Sequence, residues 1–118
     1  MSKLLIFIGE NEKFNEDEIV KKLTLLDGVK NPRKGDFIGA IFECDYQQGK
    51  FNTIIRLSDD AQTITVEGSG DESLMVVLKI NDFINEAISV VDMDYSFHVE
   101  LASINNLSEL KKKIEDGV

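Results

Sequence analysis

Several residue types that would narrow the class of this protein are scarce or missing. The chain has one cysteine, Cys44, one proline and no tryptophan, and His98 is its only histidine. A single cysteine excludes an internal disulfide, and a single histidine leaves no second imidazole for a typical zinc site. No apolar run approaches the roughly 18 residues of a membrane-spanning helix. We therefore expect a cytoplasmic protein without a cofactor, with residues 1–8 forming a strand rather than a signal peptide.

Basic residues are scarce in the second half of the chain. Residues 51–110 contain only Arg56 and Lys79 as cations against 11 acidic residues, and the whole chain has a formal charge of −9. Nucleic acids and anionic membrane surfaces attract clustered lysine and arginine, so neither is an expected partner. A basic protein partner fits the charge, because opposite fields speed encounter.

The pattern of apolar residues predicts a single domain over residues 1–118. Three segments match the capping box that begins a helix: Asn15–Glu18, Ser69–Glu72 and Asn106–Glu109. The predicted strands are Lys3–Ile8, Phe37–Tyr46, Phe51–Ser58, Thr63–Glu67 and Val91–Leu101, with a hairpin turn at Gln47-Gln48-Gly49. The order β-α-β-β-β-α-β-α predicts an α/β fold of the α+β type. We expect a two-layer sandwich with a mostly antiparallel sheet and helices on one face.

The last predicted strand offers a candidate metal site. Strict alternation over Val91–Leu101 places Asp92, Asp94, His98 and Glu100 on one side, where carboxylates and an imidazole could converge on a divalent cation. A small metal-dependent enzyme is therefore an alternative function. The competing interpretation is the polar, solvated side of a half-exposed strand.

Three further features have a chemical and a structural interpretation. Cys44 and His98 are the one pair that could form a thiolate and its base, but the strand patterns direct them to opposite sheet faces. Gly68-Ser69-Gly70 precedes a helix as phosphate-binding loops do, yet two acidic residues follow and the P-loop lysine is missing. Lys30, Arg33 and Lys34 form a short basic stretch that could contact an anion, but three charges in a loop are more often part of a solubilising connection.

The acidic residues of the second half form the main candidate site. Since few cations lie near them in the sequence, we expect few internal salt bridges and an exposed patch that binds a basic protein. The competing interpretation is a charged surface that keeps a small protein in solution. Tyr46 or Tyr95 could anchor such a contact. The candidate partner-binding residues are Asp59, Asp60, Glu67, Asp71, Glu72, Asp92, Asp94, His98 and Glu100.

The segment Val91–Phe97, followed by Asn106–Leu110, is similar to the C-terminal part of small bacterial immunity proteins, which neutralise contact-dependent or polymorphic toxins. The resemblance implies a non-enzymatic protein that covers a toxin active site with acidic and aromatic residues. The resemblance does not assign a toxin, but the acidic charge of the chain leads to the hypothesis of a basic, nuclease-type toxin as partner. A third possibility is an accessory module, such as a phage protein that mimics DNA with its carboxylates.

Overall fold

An antiparallel sheet organises the part of the chain that the computed structural model describes, namely residues 3–8, 13–37, 40–58, 61–68, 70–84, 88–92, 97–101 and 104–116. Within these ranges the strands are β1 Lys3–Phe7, β2 Val29–Phe37, β3 Ala40–Gln48, β4 Phe51–Ser58, β5 Thr63–Glu67, β6 Ser89–Asp92 and β7 His98–Glu100. The helices are α1 Glu16–Leu25, α2 Asp71–Phe83 and α3 Leu107–Asp116.

The sheet has the strand order β2-β3-β4-β5-β1-β6-β7. Each pair of neighbouring strands in this order is antiparallel. β1 lies between β5 and β6, so the chain passes from β5 through α2 to β6 across the strand that begins the fold.

The two faces of the sheet differ in burial because residues opposite each other on neighbouring strands share a face. Leu4 of β1 and Ile55 of β4 both lie opposite Val66 of β5, and all three side chains are fully buried. Ile19 of α1 and Val77 of α2 belong to the same hydrophobic cluster. The helices therefore cover this face, and the opposite, open face is partly exposed. The predicted α+β sandwich with a mostly antiparallel sheet is confirmed.

Two of the three predicted helix starts have the expected side-chain caps. The Glu18 amide donates to Oδ1 of Asn15 at 2.9 Å, and the Glu109 amide donates to Oδ1 of Asn106 at 2.9 Å. The third start differs: the N-cap of α2 is Gly70, which makes no side-chain cap bond. Ser69, the predicted cap, lies outside the described residues.

The basic stretch predicted as a loop is strand β2. Its pairing with β3 shifts register between Lys30 and Arg33, where Asn31 has a φ of 52° and Pro32 follows. An Asn-Pro pair in a sequence usually indicates a turn. An edge strand can nevertheless accommodate a proline and a left-handed residue at a β-bulge. The loop prediction was therefore wrong, and the pairing gives Arg33 fixed neighbours.

The single strand predicted over Val91–Leu101 is also wrong. β6 and β7 are antiparallel neighbours, with Val90 opposite Val99 and Val91 opposite His98, so the chain reverses direction between them. The segment contains neither glycine nor proline, the residues that usually indicate such a reversal. Residues 93–96, which include Asp94 and Tyr95, lie outside the described residues. In the described part of the chain, no helix has both the length and the apolar character of a membrane span.

Candidate functional site

Six charged side chains form a continuous ladder across five strands on the open face. Glu43 accepts hydrogen bonds from Arg33 Nη2 at 2.8 Å and from Arg56 Nε at 2.6 Å. Arg56 also contacts Glu67, which Lys3 approaches at 3.9 Å from the next strand. Asp45 accepts from Arg33 at 3.2 Å. We call these residues the charge ladder: Lys3, Arg33, Glu43, Asp45, Arg56 and Glu67.

Strand register explains the charge ladder. Arg33 lies opposite Glu43, Glu43 lies opposite Arg56, and Lys3 lies opposite Glu67. Opposite charges at such positions stabilise a sheet by roughly 0.2–1 kcal/mol per pair. Its three cations and three carboxylates cancel. The expectation of few internal salt bridges was therefore wrong for Glu67, because partners distant in sequence are adjacent in the sheet.

The charge ladder lowers the pKa of two of its carboxyl groups, Glu43 and Asp45. Hydrogen bonds from Arg33, reinforced by Arg56, lower the pKa of Glu43 below its ordinary value of 4.5. Hydrogen bonds from Arg33 and then from Asn31 lower the pKa of Asp45 below 3.8. A carboxyl group with a lowered pKa is a poor proton carrier near neutral pH. These two groups therefore fix structure and charge rather than exchange protons.

A cavity of about 540 Å³ opens where the charge ladder reaches the end of β5. Its lining includes Asp45 and Glu67 as anions, Lys30 and Arg56 as cations, and the exposed Asn52 of β4. Its lining comes from β2, β3, β4 and the end of β5. β4 continues to Phe51, past Ile55–Val66, its last described pair with β5.

A smaller cavity of about 210 Å³ lies between the β3–β4 hairpin and α2, and Tyr46 lines both cavities. Lys79 of α2 donates to the Tyr46 hydroxyl at 2.7 Å and to Gln48 at 2.8 Å. Met75 and Phe51 supply an apolar lining, and Glu72 lies at the same opening. Met75 is 42% exposed, which is unusual for a large apolar side chain on a helix that packs on a sheet.

Three predicted partner-binding residues lie at this end of the molecule. Glu67 ends β5, and Asp71 and Glu72 occupy the first turn of α2. Asp71 is exposed and forms an ion pair with Lys111 of α3 at 3.2 Å. Asp92 ends β6 opposite Leu4, two strands away from Glu67 at the same end of the sheet. We call the two cavities with these first three carboxylates the hairpin-end site.

The other predicted site residues do not join this group. Glu100 lies opposite Ser89, which pairs with Phe7 at the other end of β1. His98 is exposed on the open face, where its ring lies 5.5 Å from that of Phe7. Asp59, Asp60 and Asp94 lie outside the described residues.

The chain reversal between β6 and β7 separates the predicted metal-binding residues. Asp92 follows Val91, and His98 lies opposite Val91, so Asp92 and His98 are on different faces of the sheet. No three histidine, cysteine, aspartate or glutamate side chains among the described residues are placed to hold a metal ion together. The single face that was predicted for Asp92, His98 and Glu100 is therefore wrong.

Cys44 and His98 also lie on different faces. Cys44 is opposite Ile55 in the buried layer and is itself fully buried, whereas His98 faces the open side. Burial raises the pKa of the Cys44 thiol to about 12. A thiol with this pKa is protonated at neutral pH, so Cys44 is a core residue rather than a nucleophile.

Comparisons of the chain with protein-family models, with curated proteins and with solved structures found no match. The site is therefore interpreted from its own geometry.

The sequence pattern missed several residues of the site. Arg33 and Arg56 were noted only for their charge and Glu43 was not singled out, because each lies in a different strand. The pairing of Glu43 with Arg56 could have been inferred from the hairpin, since a turn at Gly49-Lys50 places these two residues opposite each other. Met75 had no signal, because a methionine on an amphipathic helix is usually a core residue.

Proposed function

We propose that this protein is a non-enzymatic binding domain that captures a basic protein partner through the hairpin-end site. In its most specific form, the proposal is an immunity protein that neutralises a basic, nuclease-type toxin by covering its active site. The observation that carries the proposal is the coincidence of two cavities, the exposed Met75 and three carboxylates at one end of the molecule.

Electrostatics support a basic partner at two distances. At long range the chain has a formal charge of −9, which speeds encounter with a cationic protein. At short range Glu72 is exposed. Asp71 forms an ion pair with Lys111, but because this pair is itself exposed, Lys111 offsets the charge of Asp71 only weakly. Glu67 is engaged in the charge ladder, so it contributes to the shape of the site more than to its free charge.

The site also offers apolar contact area, which charge alone does not supply. Interfaces depend on a few well-packed anchors, and aromatic and methionine side chains are enriched among interface residues. Met75, Phe51 and Tyr46 line the smaller cavity beside Glu72. In this arrangement the carboxylates replace substrate phosphates against the lysines and arginines of a toxin, while the cavity receives an apolar side chain.

The enzymatic alternatives have less support. Cys44 is buried with a raised pKa, and Asp92 and His98 point to opposite faces of the sheet. No observation on the described residues specifically favours a DNA mimic.

The test uses the C-terminal domain of the large secreted protein that the immunity proposal places immediately upstream in the genome. Its binding to this chain is measured by calorimetry, and protection by growth during co-expression. Two double variants are compared. The α2 double variant combines Asp71→Lys and Glu72→Lys, and the α1 double variant combines Glu16→Lys and Asp17→Lys. Each changes the net charge by the same amount in the first turn of a helix, so the unfavourable interaction of the new lysines with the helix dipole is similar in both.

We expect the α2 double variant to weaken binding at least about tenfold, mainly through slower association, and the α1 double variant by less than about threefold. The α1 start lies at the opposite end of β5, where Phe14 bonds to Ala61. Equal effects of the two variants would refute the hairpin-end site. A missing upstream toxin gene, or a toxin domain that neither binds nor is neutralised, would refute the immunity function.

A further inference from the structure

The smaller cavity of the hairpin-end site contains a cation that has no carboxylate partner among the described residues. Lys79 donates only to neutral oxygen atoms, the Tyr46 hydroxyl at 2.7 Å and Gln48 Oε1 at 2.8 Å. The chain has 22 acidic against 13 basic side chains, yet no described carboxylate forms a salt bridge with Lys79. A positive charge in an acidic protein is therefore left for an external group.

A closed set of hydrogen bonds holds this charge in place. The Tyr46 hydroxyl donates to Gln48 Oε1 at 2.7 Å and accepts from Lys79, whose Nζ lies 5.3 Å from the centre of the Tyr46 ring. An ammonium has three N–H donors, and these bonds use two of them. Gln48 accepts both of its bonds with Oε1, so its amide N–H₂ group has no hydrogen-bond partner in the described part of the chain. Lys79 and Gln48 thus retain donors that suit a carboxylate.

Apolar side chains lie beside these donors. Met75 precedes Lys79 by one turn on the same side of α2 and is 42% exposed. Phe51 lines the cavity from the start of β4. The volume of about 210 Å³ lies below the roughly 300–1,000 Å³ of typical small-molecule sites. The cavity therefore has room for one side chain with its carboxylate, but not for a longer segment.

Glu72 lies at the other end of the same side of α2. It is exposed and seven residues before Lys79, about 10 Å away along the helix axis. This exceeds the Debye length of roughly 8 Å at physiological salt, so Glu72 repels a carboxylate at Lys79 only weakly. Because an extended chain advances about 3.3 Å per residue, a side chain two residues before that carboxylate can reach Glu72.

We propose that the smaller cavity binds the C-terminal residue of the basic partner. The terminal carboxylate bonds to Lys79 and Gln48, and its apolar side chain packs against Met75 and Phe51. A basic side chain two residues upstream pairs with Glu72. This inference rests on the proposed function and names the part of the partner that docks. Only a chain terminus places a main-chain carboxylate and a complete apolar side chain on one residue, and terminal carboxylates are a recurring recognition element.

The test titrates the full ¹⁵N-labelled chain with acetyl-Arg-Gly-Leu, which has a free carboxylate, followed by NMR. Each control peptide changes one feature. The leucine amide removes the terminal charge, acetyl-Arg-Gly-Gly removes the apolar side chain, and acetyl-Glu-Gly-Leu reverses the upstream charge. A further ligand, 4-methylpentanoate, presents the carboxylate and the branched chain without a peptide. These comparisons require no variant of the protein.

Three variants then test the role of Lys79. Lys79→Met keeps most of the aliphatic stem without the charge, and Lys79→Arg restores the charge. Lys112→Met is the matched control, because it removes one charge from an exposed position of α3. Thermal denaturation and the amide spectrum show whether each variant is folded. Should Lys79→Met be unfolded, the comparison of acid and amide peptides on the unchanged protein decides.

We expect saturable shifts at Gln48, Met75 and Lys79 with acetyl-Arg-Gly-Leu. Amidation of the peptide and Lys79→Met should each weaken binding at least about tenfold, as the loss of a charge-assisted hydrogen bond implies. Lys79→Arg and Lys112→Met should remain within about threefold of the unchanged protein. Replacing leucine by glycine should weaken binding at least about fivefold, and the arginine peptide should bind more tightly than the glutamate peptide at low salt.

Several results would overturn the inference. These are equal binding of the acid and amide peptides, equal binding by the folded Lys79→Met and Lys112→Met variants, and shifts confined to other surfaces. Binding of 4-methylpentanoate as tight as that of the peptide would assign the cavity to a free acid instead of a chain terminus.

The inference and the proposed function fail in different ways. If the toxin domain binds Lys79→Met as tightly as Lys112→Met, docking of a chain terminus is wrong and the proposed function stands. If the toxin domain does not bind at all, the proposed function is wrong, and the peptide titration still decides whether the cavity binds a C-terminal residue.

Discussion

Glu43 is the carboxylate on which the charge ladder depends, so replacing it with glutamine is the most informative change in the sheet. Its side chain is 15% exposed and accepts hydrogen bonds from Arg33 and Arg56 on the two neighbouring strands. Glutamine keeps the size and one acceptor oxygen. It removes the charge and places an amide N–H₂ group against a guanidinium.

The expected cost follows from these contacts. Hydrogen bonds to charged groups contribute about 1.5–3 kcal/mol to stability, and one of the two main acceptor positions on Glu43 is lost while the other weakens. Arg33 retains Asp45, and Arg56 retains Glu67. We therefore expect Glu43→Gln to lower the free energy of unfolding by about 2 kcal/mol, which lowers the melting temperature by about 8 °C in a chain of this size.

Urea denaturation measures this change, with Glu100→Gln as the control. Glu100 is exposed on the short strand β7, and surface substitutions of this kind change stability by about 0.5 kcal/mol or less. A loss below about 0.5 kcal/mol in Glu43→Gln would refute the reasoning, since the bonds to Arg33 and Arg56 would then contribute nothing beyond solvation.

The pH dependence gives a second readout of the same substitution. The pKa of Glu43 is lower in the folded chain than its ordinary value of 4.5, so the unfolded state binds more protons in acid. The stabilisation is present above pH 4.5 and is lost as the pH falls through the folded pKa. The two proteins should therefore differ most near pH 7 and converge in acid. A constant difference would contradict the assigned cause.

Two further predictions concern the residues around Tyr46 and the core. Gly28→Ala should destabilise the fold by about 2 kcal/mol, because Gly28 has a φ of +100° and a Cβ would lie 2.8 Å from the carbonyl oxygen of Gln47. Thermal denaturation measures this loss, with Gly49→Ala as the control. At Gly49 φ is also positive but the added Cβ meets no atom within 4 Å, so the comparison separates crowding from backbone strain. Cys44 should not react with a thiol reagent at pH 8 until urea unfolds the chain, because burial raises the pKa of its thiol to about 12. Rapid reaction of the native protein would contradict this prediction, since it would show that the thiol is accessible.

The local structure was predictable where short-range chemistry decides it. Asn15 and Asn106 begin helices because their side chains bond amides three residues later, and those partners are visible in the sequence. The layer of buried residues was visible for a similar reason, since Leu4, Ile64 and Val66 alternate with more exposed residues along their strands.

The charge ladder was not predicted because it depends on strand register. The predicted turn at Gln47-Gln48-Gly49 lies one residue too early, whereas Gln48 and Phe51 are the closing pair. A shift of this kind changes which residues face each other across the hairpin. With the observed register, Glu43 meets Arg56, and charges that appeared unpaired in the sequence become partners.

The acidic site was only partly predictable for the same reason. Glu67, Asp71 and Glu72 are close in sequence, so they stay together in space. Asp92, His98 and Glu100 were grouped by alternation along one strand, and the reversal between β6 and β7 puts Asp92 on the face opposite to His98 and Glu100. The linings of the two cavities combine residues of β2 to β5 and of α2, and periodicity along one element does not encode which elements are neighbours.

The charge ladder and the hairpin-end site are physically connected. Glu67 and Asp45 belong to both, so the bonds that hold β2 to β5 together also shape one wall of the large cavity. A site held by such cross-strand bonds loses little conformational freedom on binding, which favours affinity.

Hydrogen exchange of the complex with the toxin domain that the proposed function places upstream tests the central claim most directly. The account predicts that the toxin slows exchange at Asn52 and Ile54 of β4 and in the first turn of α2, while β7 and the first turn of α1 are unaffected. Protection centred on β7 or α1, with unchanged exchange at the end of the β3–β4 hairpin, would contradict it.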